Sequence, residues 1–355
     1  MPDPLRVIDS GVIEGRLNIA LGQAMIESHQ EGMVPDTLRF LRFPPTALVG
    51  RHQALRQEVN VEYCRENDIA LVRRITGGGA IFLDPGQLGW ELVIDRATLG
   101  RTTLTELARE ICRAAASGLR KLGVNAGYRP RNDIEVDGRK ISGTGGFFDG
   151  NTLFYQGTVL VDMNPEVMVS ALRVPRAKLA KRELDSAEQR VVTLRELLGD
   201  ATPGLPEIQA ALVASFSERF GRPAAADELS EREREQARIL FDEEIGTEAF
   251  LTEVDEPPAA RGALMGRHVG PGGTITSYLR LEGPAQDRIR EVLITGDFFV
   301  TPPRVIYDLE SRLRRVALAE LGETVRDFFE EAGVEVLSVS PDDFVTSIEN
   351  AAVGS

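Results

Sequence analysis

Short apolar runs bounded by turn residues dominate the first half of the chain, and longer stretches of helical period separate them. Ile69-Ala70-Leu71-Val72 predicts a strand running into Arg73 and Arg74. Gly77-Gly78-Gly79 then leaves the backbone bare before Ala80-Ile81-Phe82-Leu83 resumes a strand. Residues 38–43, closed by Pro44-Pro45, residues 47–49 and residues 88–94 read as further strands. Asp137-Gly138 and Asp149-Gly150 between alternating segments mark tight hairpin turns, the second leading into a strand at 153–161. Asn18 is placed to cap a helix through residue 30, and residues 59–67 suggest a short helix carrying Cys64. Thr103 and Glu106 form a capping-box pair at the head of a helix whose apolar face runs Leu104, Leu107, Ile111, Ala115 and Leu119. Helices are also predicted at 206–220 and after Ser230.

The pattern restarts beyond about residue 244. Strands are expected at 249–252, 262–268, 274–282 and 292–295, with a Gly-Pro turn at 270–273. Helices are expected after Pro303, at 320–332 and at 341–350. The chain is therefore expected to be α+β, with a larger domain over 1–245 and a smaller one over 246–355. The polar, basic connection at 173–190 is too long for a simple turn and predicts a mobile loop.

Composition narrows the function. A length of 355 residues suits about two domains, and 42% hydrophobic with 27% charged residues is a globular balance. A formal charge of −14 argues against general nucleic-acid binding, which needs a basic footprint. No apolar run approaches a membrane span, and the start, Met1-Pro2-Asp3-Pro4, does not read as a signal peptide, so a cytoplasmic location is expected. Cys64 and Cys112 are the only cysteines, and the three histidines are scattered, which disfavours a disulfide framework or a Cys/His zinc site.

What remains is a set of glycine-rich segments with cations. Arg73 and Arg74 precede the glycine triplet, and Lys140 precedes Ser142-Gly143-Thr144-Gly145-Gly146. Bare backbone admits close approach of a ligand, and a lysine over it can reach a phosphate or a polarised carbonyl. Taken singly, the triplet is equally a tight turn and Lys140 a solvated hairpin lysine.

In order and spacing, Arg74, Thr76 and Gly77-Gly78-Gly79, then Asn132-Asp133, Lys140-Ile141-Ser142-Gly143-Thr144 and Gly157-Thr158 resemble the lipoate–protein ligase A family. Gly50-Arg51-His52-Gln53 upstream and residues 190–194 downstream are similar to that family's flanking segments. The likeness covers about residues 5–220; beyond them only size and element order resemble an accessory domain. The resemblance implies a biotin/lipoate-ligase-type mixed sheet and a two-step reaction. Lipoate or octanoate is activated by ATP with Mg2+, and the acyl group passes to a lysine of a lipoyl carrier. That carrier would be a 2-oxoacid dehydrogenase E2 domain, the glycine-cleavage H protein or a dedicated lipoate-binding protein.

By that resemblance Lys140 holds the acyl carbonyl and α-phosphate, and Asn132 and Asp133 sit at the nucleotide, with Asp133 at the metal. Arg74, Thr76 and the glycine triplet line the acyl-adenylate tunnel; Ser142, Gly143 and Thr144 add contacts, Gln156 and Thr158 lie on the wall, and the 173–190 loop covers the adenylate. Leu83 and Gln156 stand where the family often has histidine. An ATP-independent octanoyl or lipoyl transferase of the same fold, a biotin ligase and a non-catalytic binder are the competing readings. The transferase needs a reactive cysteine in the binding loops.

Overall fold

The structure, a computed structural model, describes residues 3–100, 103–130, 132–173, 190–255, 263–270, 272–337 and 339–354. Its first strands are β1 (Leu5–Val12), β2 (Thr37–Arg42), β3 (Thr46–Val49), β4 (Ala70–Arg73), β5 (Ile81–Leu83) and β6 (Gln87–Asp95). β7 (Gly127–Arg129), β8 (Asp133–Val136), β9 (Arg139–Asp149), β10 (Thr152–Leu160) and β11 (Ala224–Ala226) follow. An eight-stranded mixed sheet runs β11-β1-β2-β6-β10-β9-β8-β7, and a three-stranded sheet runs β4-β3-β5. The α+β mixed-sheet expectation holds.

Helices α1 (Gly15–Gln30), α2 (Leu104–Lys121) and α3 (Leu205–Phe220) cover the large sheet, and α4 (Glu231–Leu240) packs on α1. The capping box of Thr103 and Glu106 is present, and the predicted face of α2 buries Leu107, Ile111 and Leu119 against Leu88, Trp90 and Leu92 of β6 and against α3. Each such side chain stabilises by about 1.5–3 kcal/mol on burial. Across the sheet, Ile19 of α1 packs with Leu41, Leu48 and Leu83, which closes the small sheet against the large one.

Later come β12 (Leu264–Gly270), β13 (Gly273–Glu282), β14 (Arg288–Gly296), β15 (Val300–Thr301) and β16 (Glu335–Val336). Helices α5 (Val305–Arg312), α6 (Leu321–Glu331) and α7 (Pro341–Val353) share a core with β13 and β14 through Ile275, Leu279, Phe298 and Phe344.

Three local expectations change. Asn18 lies inside α1, whose N-cap is Glu14; its amide donates to the carbonyls of Ile13 and Arg42, a tertiary use that outweighs capping. The 59–67 helix is shortened to Val61–Glu66, which Asn60 caps through its side chain, and a separate short helix, Leu55–Glu58, precedes it. Residues 249–252 belong mostly to a short helix, Glu248–Leu251, that Thr247 caps; so short an apolar run carries no period to distinguish the two. Phe250 and Leu251 pack into the clusters around the small sheet, so residues placed beyond the expected boundary at 245 bury against the first unit.

The seam between the two units is made largely of backbone. Buried Arg73 donates to the carbonyls of Gly50, Arg51 and Gln53 on one side and of Phe250, Leu251 and Val254 on the other. The Gly78 amide donates to the Phe298 carbonyl at 3.0 Å, and buried His52 stacks on the Phe298 ring with centroids 5.0 Å apart. Burial, with Arg51 and Arg73 nearby, pulls the His52 imidazole down to about 3, so it packs as a neutral ring.

A Cβ on Gly77 would lie 2.0 Å from the Phe298 carbonyl oxygen. Gly77→Ala is expected to force the seam apart and cost about 1–3 kcal/mol, read as a lower melting temperature. An unchanged melting temperature would mean the seam yields freely. A second prediction concerns the buried Arg6–Glu233 pair, which ties β1 to α4 with Arg6 Nη1 3.0 Å from Glu233 Oε2. Glu233→Ala is expected to cost about 3–5 kcal/mol by stranding the guanidinium. Burial raises the Glu233 carboxyl, but the Arg6 and Ser230 hydrogen bonds outweigh it and the pKa is lowered. Its stabilisation is thus full above the ordinary carboxylate range and fades as pH falls through the depressed native value, so the wild-type advantage in urea melts should narrow in acid.

Candidate functional site

A cavity of about 470 Å3 lies between the two sheets, with α1 at one end and the segment 297–299 over it. Its half-exposed mouth holds Asn132, Asp133 and Lys140, and its inner end is lined by Ile19, Leu41, Phe43, Leu48, Ile81 and Leu83. A charged mouth and an apolar end suit an acid with a hydrocarbon tail.

Lys140 Nζ lies 2.7 Å from Asp133 Oδ1, at 38% and 26% side-chain exposure. Two neighbours fix the lysine. Its backbone amide donates to the Arg190 carbonyl and its carbonyl accepts from the Val192 amide, so the chain that emerges at residue 190 is stitched beside β9. A Cβ on Gly143 would meet Lys140 Cε and Nζ at 2.7 Å, so only glycine lets the side chain fold over the strand.

Pairing between β8 and β9 slips after Ile134, which faces Ser142, whereas Glu135 faces Lys140. This bulge at Ile141 switches the parity of β9. Lys140, Gly143 and Gly145 consequently line the cavity, together with Gln156 and Thr158 of the next strand. Ser142 does not: it is fully buried, and its hydroxyl, expected to contact ligand, has no hydrogen-bond partner among the described residues. Thr144 touches the cavity, but its hydroxyl donates to the Asn132 carbonyl at 2.8 Å and lies 2.7 Å from Tyr155 Oη. The Asn132 amide returns a bond to the Thr144 carbonyl. Thr144 and Asn132 therefore hold each other, and through them the loop that presents Asp133.

The glycine triplet is divided. Gly79 lines the cavity, but Gly77 and Gly78 face the segment 297–299 instead of the expected tunnel. Gly78 has φ +94°, and the Phe299 ring fills the space where Cβ atoms on Gly78 and Gly145 would stand, at 2.5 Å and 2.2 Å. Arg74 lines the cavity and is buried; it holds the turn by donating to the Gly77 carbonyl at 2.8 Å and the Gly79 carbonyl at 2.8 Å. Burial, with Arg73 adjacent, lowers it to about 10, so it remains a cation at neutral pH. Thr76 is buried off the cavity and accepts from the Gln156 amide at 2.8 Å.

Leu83 and Gln156 both line the cavity, Leu83 in the apolar wall. Residues 174–189, the body of the expected covering loop, lie outside the described residues. Among the described residues no group of three or more His, Cys, Asp or Glu gathers to hold a metal. Cys64 and Cys112 are fully buried, neither lines the cavity, and burial pushes both thiols up to about 11.

Sequence reasoning missed Glu91, Asp297 and Phe299, which also line the cavity. Glu91 had a signal, a carboxylate inside the apolar run 88–94. Phe299 had none, because its partners lie far away in the chain.

Residues 14–217 match the lipoyl protein ligase A/B catalytic domain, over half of the chain. The chain is similar to a bipartite lipoate protein ligase from Thermoplasma acidophilum, solved in a study of that ligase and its E2 lipoyl domain. The TM-score is 0.63 at 25% identity, covering 73% of this chain and all of that one. It is also similar to a lipoate-protein ligase A solved with ATP bound, with TM-score 0.61 and 26% identity over 71% of this chain and 99% of that one. Octanoyltransferase LipM of Kyrpidia tusciae is 29% identical over 260 residues, 66% of this chain and 94% of that protein. With ligases and transferases both among its relatives, this chain belongs to the lipoyl protein ligase A/B catalytic-domain family, whose members attach lipoyl-type acyl groups.

Proposed function

We propose that the protein is an ATP-dependent lipoate–protein ligase. The observation that carries this reading is Lys140 beside Asp133 at the mouth of a cavity with an apolar far end and no cysteine in its lining. In the first step a carboxylate oxygen of lipoate or octanoate attacks the α-phosphorus of ATP, and the bond to pyrophosphate breaks. Negative charge grows on the phosphoryl and carbonyl oxygens, where the Lys140 ammonium stabilises it. In the second step the amine of a carrier lysine attacks the acyl carbonyl carbon and loses a proton. The carbonyl–phosphate oxygen bond breaks and AMP departs.

Asn132 positions the nucleotide-side loop through its exchange of hydrogen bonds with Thr144. Mg2+ suits the single carboxylate of Asp133, since that ion takes one or two carboxylates and completes its shell from phosphates and water. When bound, it offsets triphosphate charge. The hydrocarbon tail lies toward Leu41, Leu48 and Leu83, while Gly79 lets it pass close to backbone. The cytoplasm and an E2-type lipoyl domain as acceptor fit this reading, the latter by analogy with the archaeal ligase studied with its own E2 domain.

The similarity to an octanoyltransferase favours a second reading, acyl transfer through a cysteine thioester. A nucleophilic thiol is exposed and of lowered pKa, whereas both thiols here are buried and raised.

Lys140→Ala is expected to reduce ATP–pyrophosphate exchange driven by lipoate or octanoate by about a hundredfold or more, with an unchanged melting temperature. Near wild-type exchange would remove Lys140 from the chemistry. The double variant Cys64→Ala/Cys112→Ala is expected to keep exchange and acyl transfer within about threefold of wild type. Loss of acyl transfer from an acyl-carrier donor in that variant, with no exchange in wild type, would select the transferase.

A further inference from the structure

We propose, resting on the acyl-ligase reading, that Glu91 determines specificity at the inner end of the cavity by selecting acyl chains with a hydrogen-bond donor on their distal part. Glu91 lines the cavity yet is only 2% exposed. Arg39, wholly buried behind it, donates from Nη1 to Glu91 Oε2 at 3.0 Å. The guanidinium is itself held by Asn18 and the Ser10 hydroxyl, so the group that anchors the carboxylate is fixed.

Glu91 Oε1 accepts no hydrogen bond among the described residues. It therefore presents a largely buried acceptor, open to the cavity, at an end otherwise lined by Ile19, Leu41 and Leu83. An acceptor left unpaired there is costly, and a ligand that pairs it gains by that amount relative to one that buries a methyl against it. Burial raises the Glu91 carboxyl, and the Arg39 guanidinium opposes the rise.

Position sets which part of the ligand is read. Gly145, Gln156 and Glu91 stand opposite one another across β9, β10 and β6, all three in the cavity lining. Glu91 is in register with Gly145, so it lies two strand spacings, about 10 Å, across the sheet from β9 and about 15 Å along it from Lys140. A chain whose carboxylate meets Lys140 thus brings its far end, not its middle, to Glu91. A hydroxyl, a thiol or an amide N–H supplies the donor. An oxidised dithiolane ring does not, whereas its reduced dithiol does.

The test uses the full chain and two readouts. Calorimetric binding of octanoate, 8-hydroxyoctanoate, nonanoate, lipoate and dihydrolipoate reads the inference, and ATP–pyrophosphate exchange with the same acids reads the ligase assignment. The hydroxy acid is expected to bind about tenfold more tightly than nonanoate, its methyl counterpart, and the dithiol more tightly than the disulfide. In Arg39→Leu/Glu91→Leu, which removes both charges and strands neither, the hydroxyl-to-methyl ratio should fall to one or below. Equal or weaker binding of the hydroxy acid by wild type overturns the inference, whether or not the double variant folds. Binding with the expected ratio but no exchange would fail the ligase reading alone.

Discussion

The arrangement of the site depends on two adjacent buried arginines that make no ion pair within 4 Å among the described residues. A cation taken out of water is costly unless hydrogen bonds replace its hydration, and Arg73 and Arg74 obtain theirs almost wholly from carbonyls. Arg73 thereby joins the 50–53 loop to the 250–254 segment, and Arg74 winds the glycine triplet around its own guanidinium. Carbonyls have fixed places on the chain, so the two side chains set loop positions more sharply than flexible acids would. The glycines follow from this. A turn drawn in by Arg74 brings its outer face against residues 297–299, and at Gly77 and Gly78 there is no room for a side chain.

That arrangement gives the C-terminal unit a part in the cavity. Phe299 seats its ring over Gly78 and Gly145, one residue from each of the two glycine-rich segments. The bare backbone that invites a ligand is used in part to admit a side chain from another region. The cavity left over is narrower and is bounded by both units, which is why Asp297 and Gly273 line it as well.

Elements governed by local physics were legible in the sequence: the capping box at Thr103 and Glu106, the hairpin at Asp137-Gly138 with positive φ at both residues, and the amphipathic face of α2. So was the family likeness, since its motifs place Lys140, Asp133 and Gly143 at one mouth. What was not legible depends on contacts between distant residues. The bulge at Ile141 decides which of Ser142 and Gly143 faces the cavity, and strand alternation read from Lys140 gives the wrong answer for both. β1 carries a polar alternation that tertiary pairing alone makes a strand, and Asn18 looks like a cap until Arg42 and Arg39 come within its reach.

The two departures from the family pattern acquire a physical sense beside the buried pair. Leu83 gives its place to the apolar wall, and Gln156 spends an amide proton on Thr76, so neither position can titrate. The polar groups near the inner end are Arg39 and Glu91, a hydrogen-bonded pair carried on neighbouring strands of the sheet. A histidine there would change its charge near neutral pH and its hydrogen-bonding with it. Glu91 is instead held in place by the buried Arg39 guanidinium. The polar contact of the cavity is thus placed by the sheet, and its preference among acyl chains becomes a matter of shape and hydrogen-bond donors.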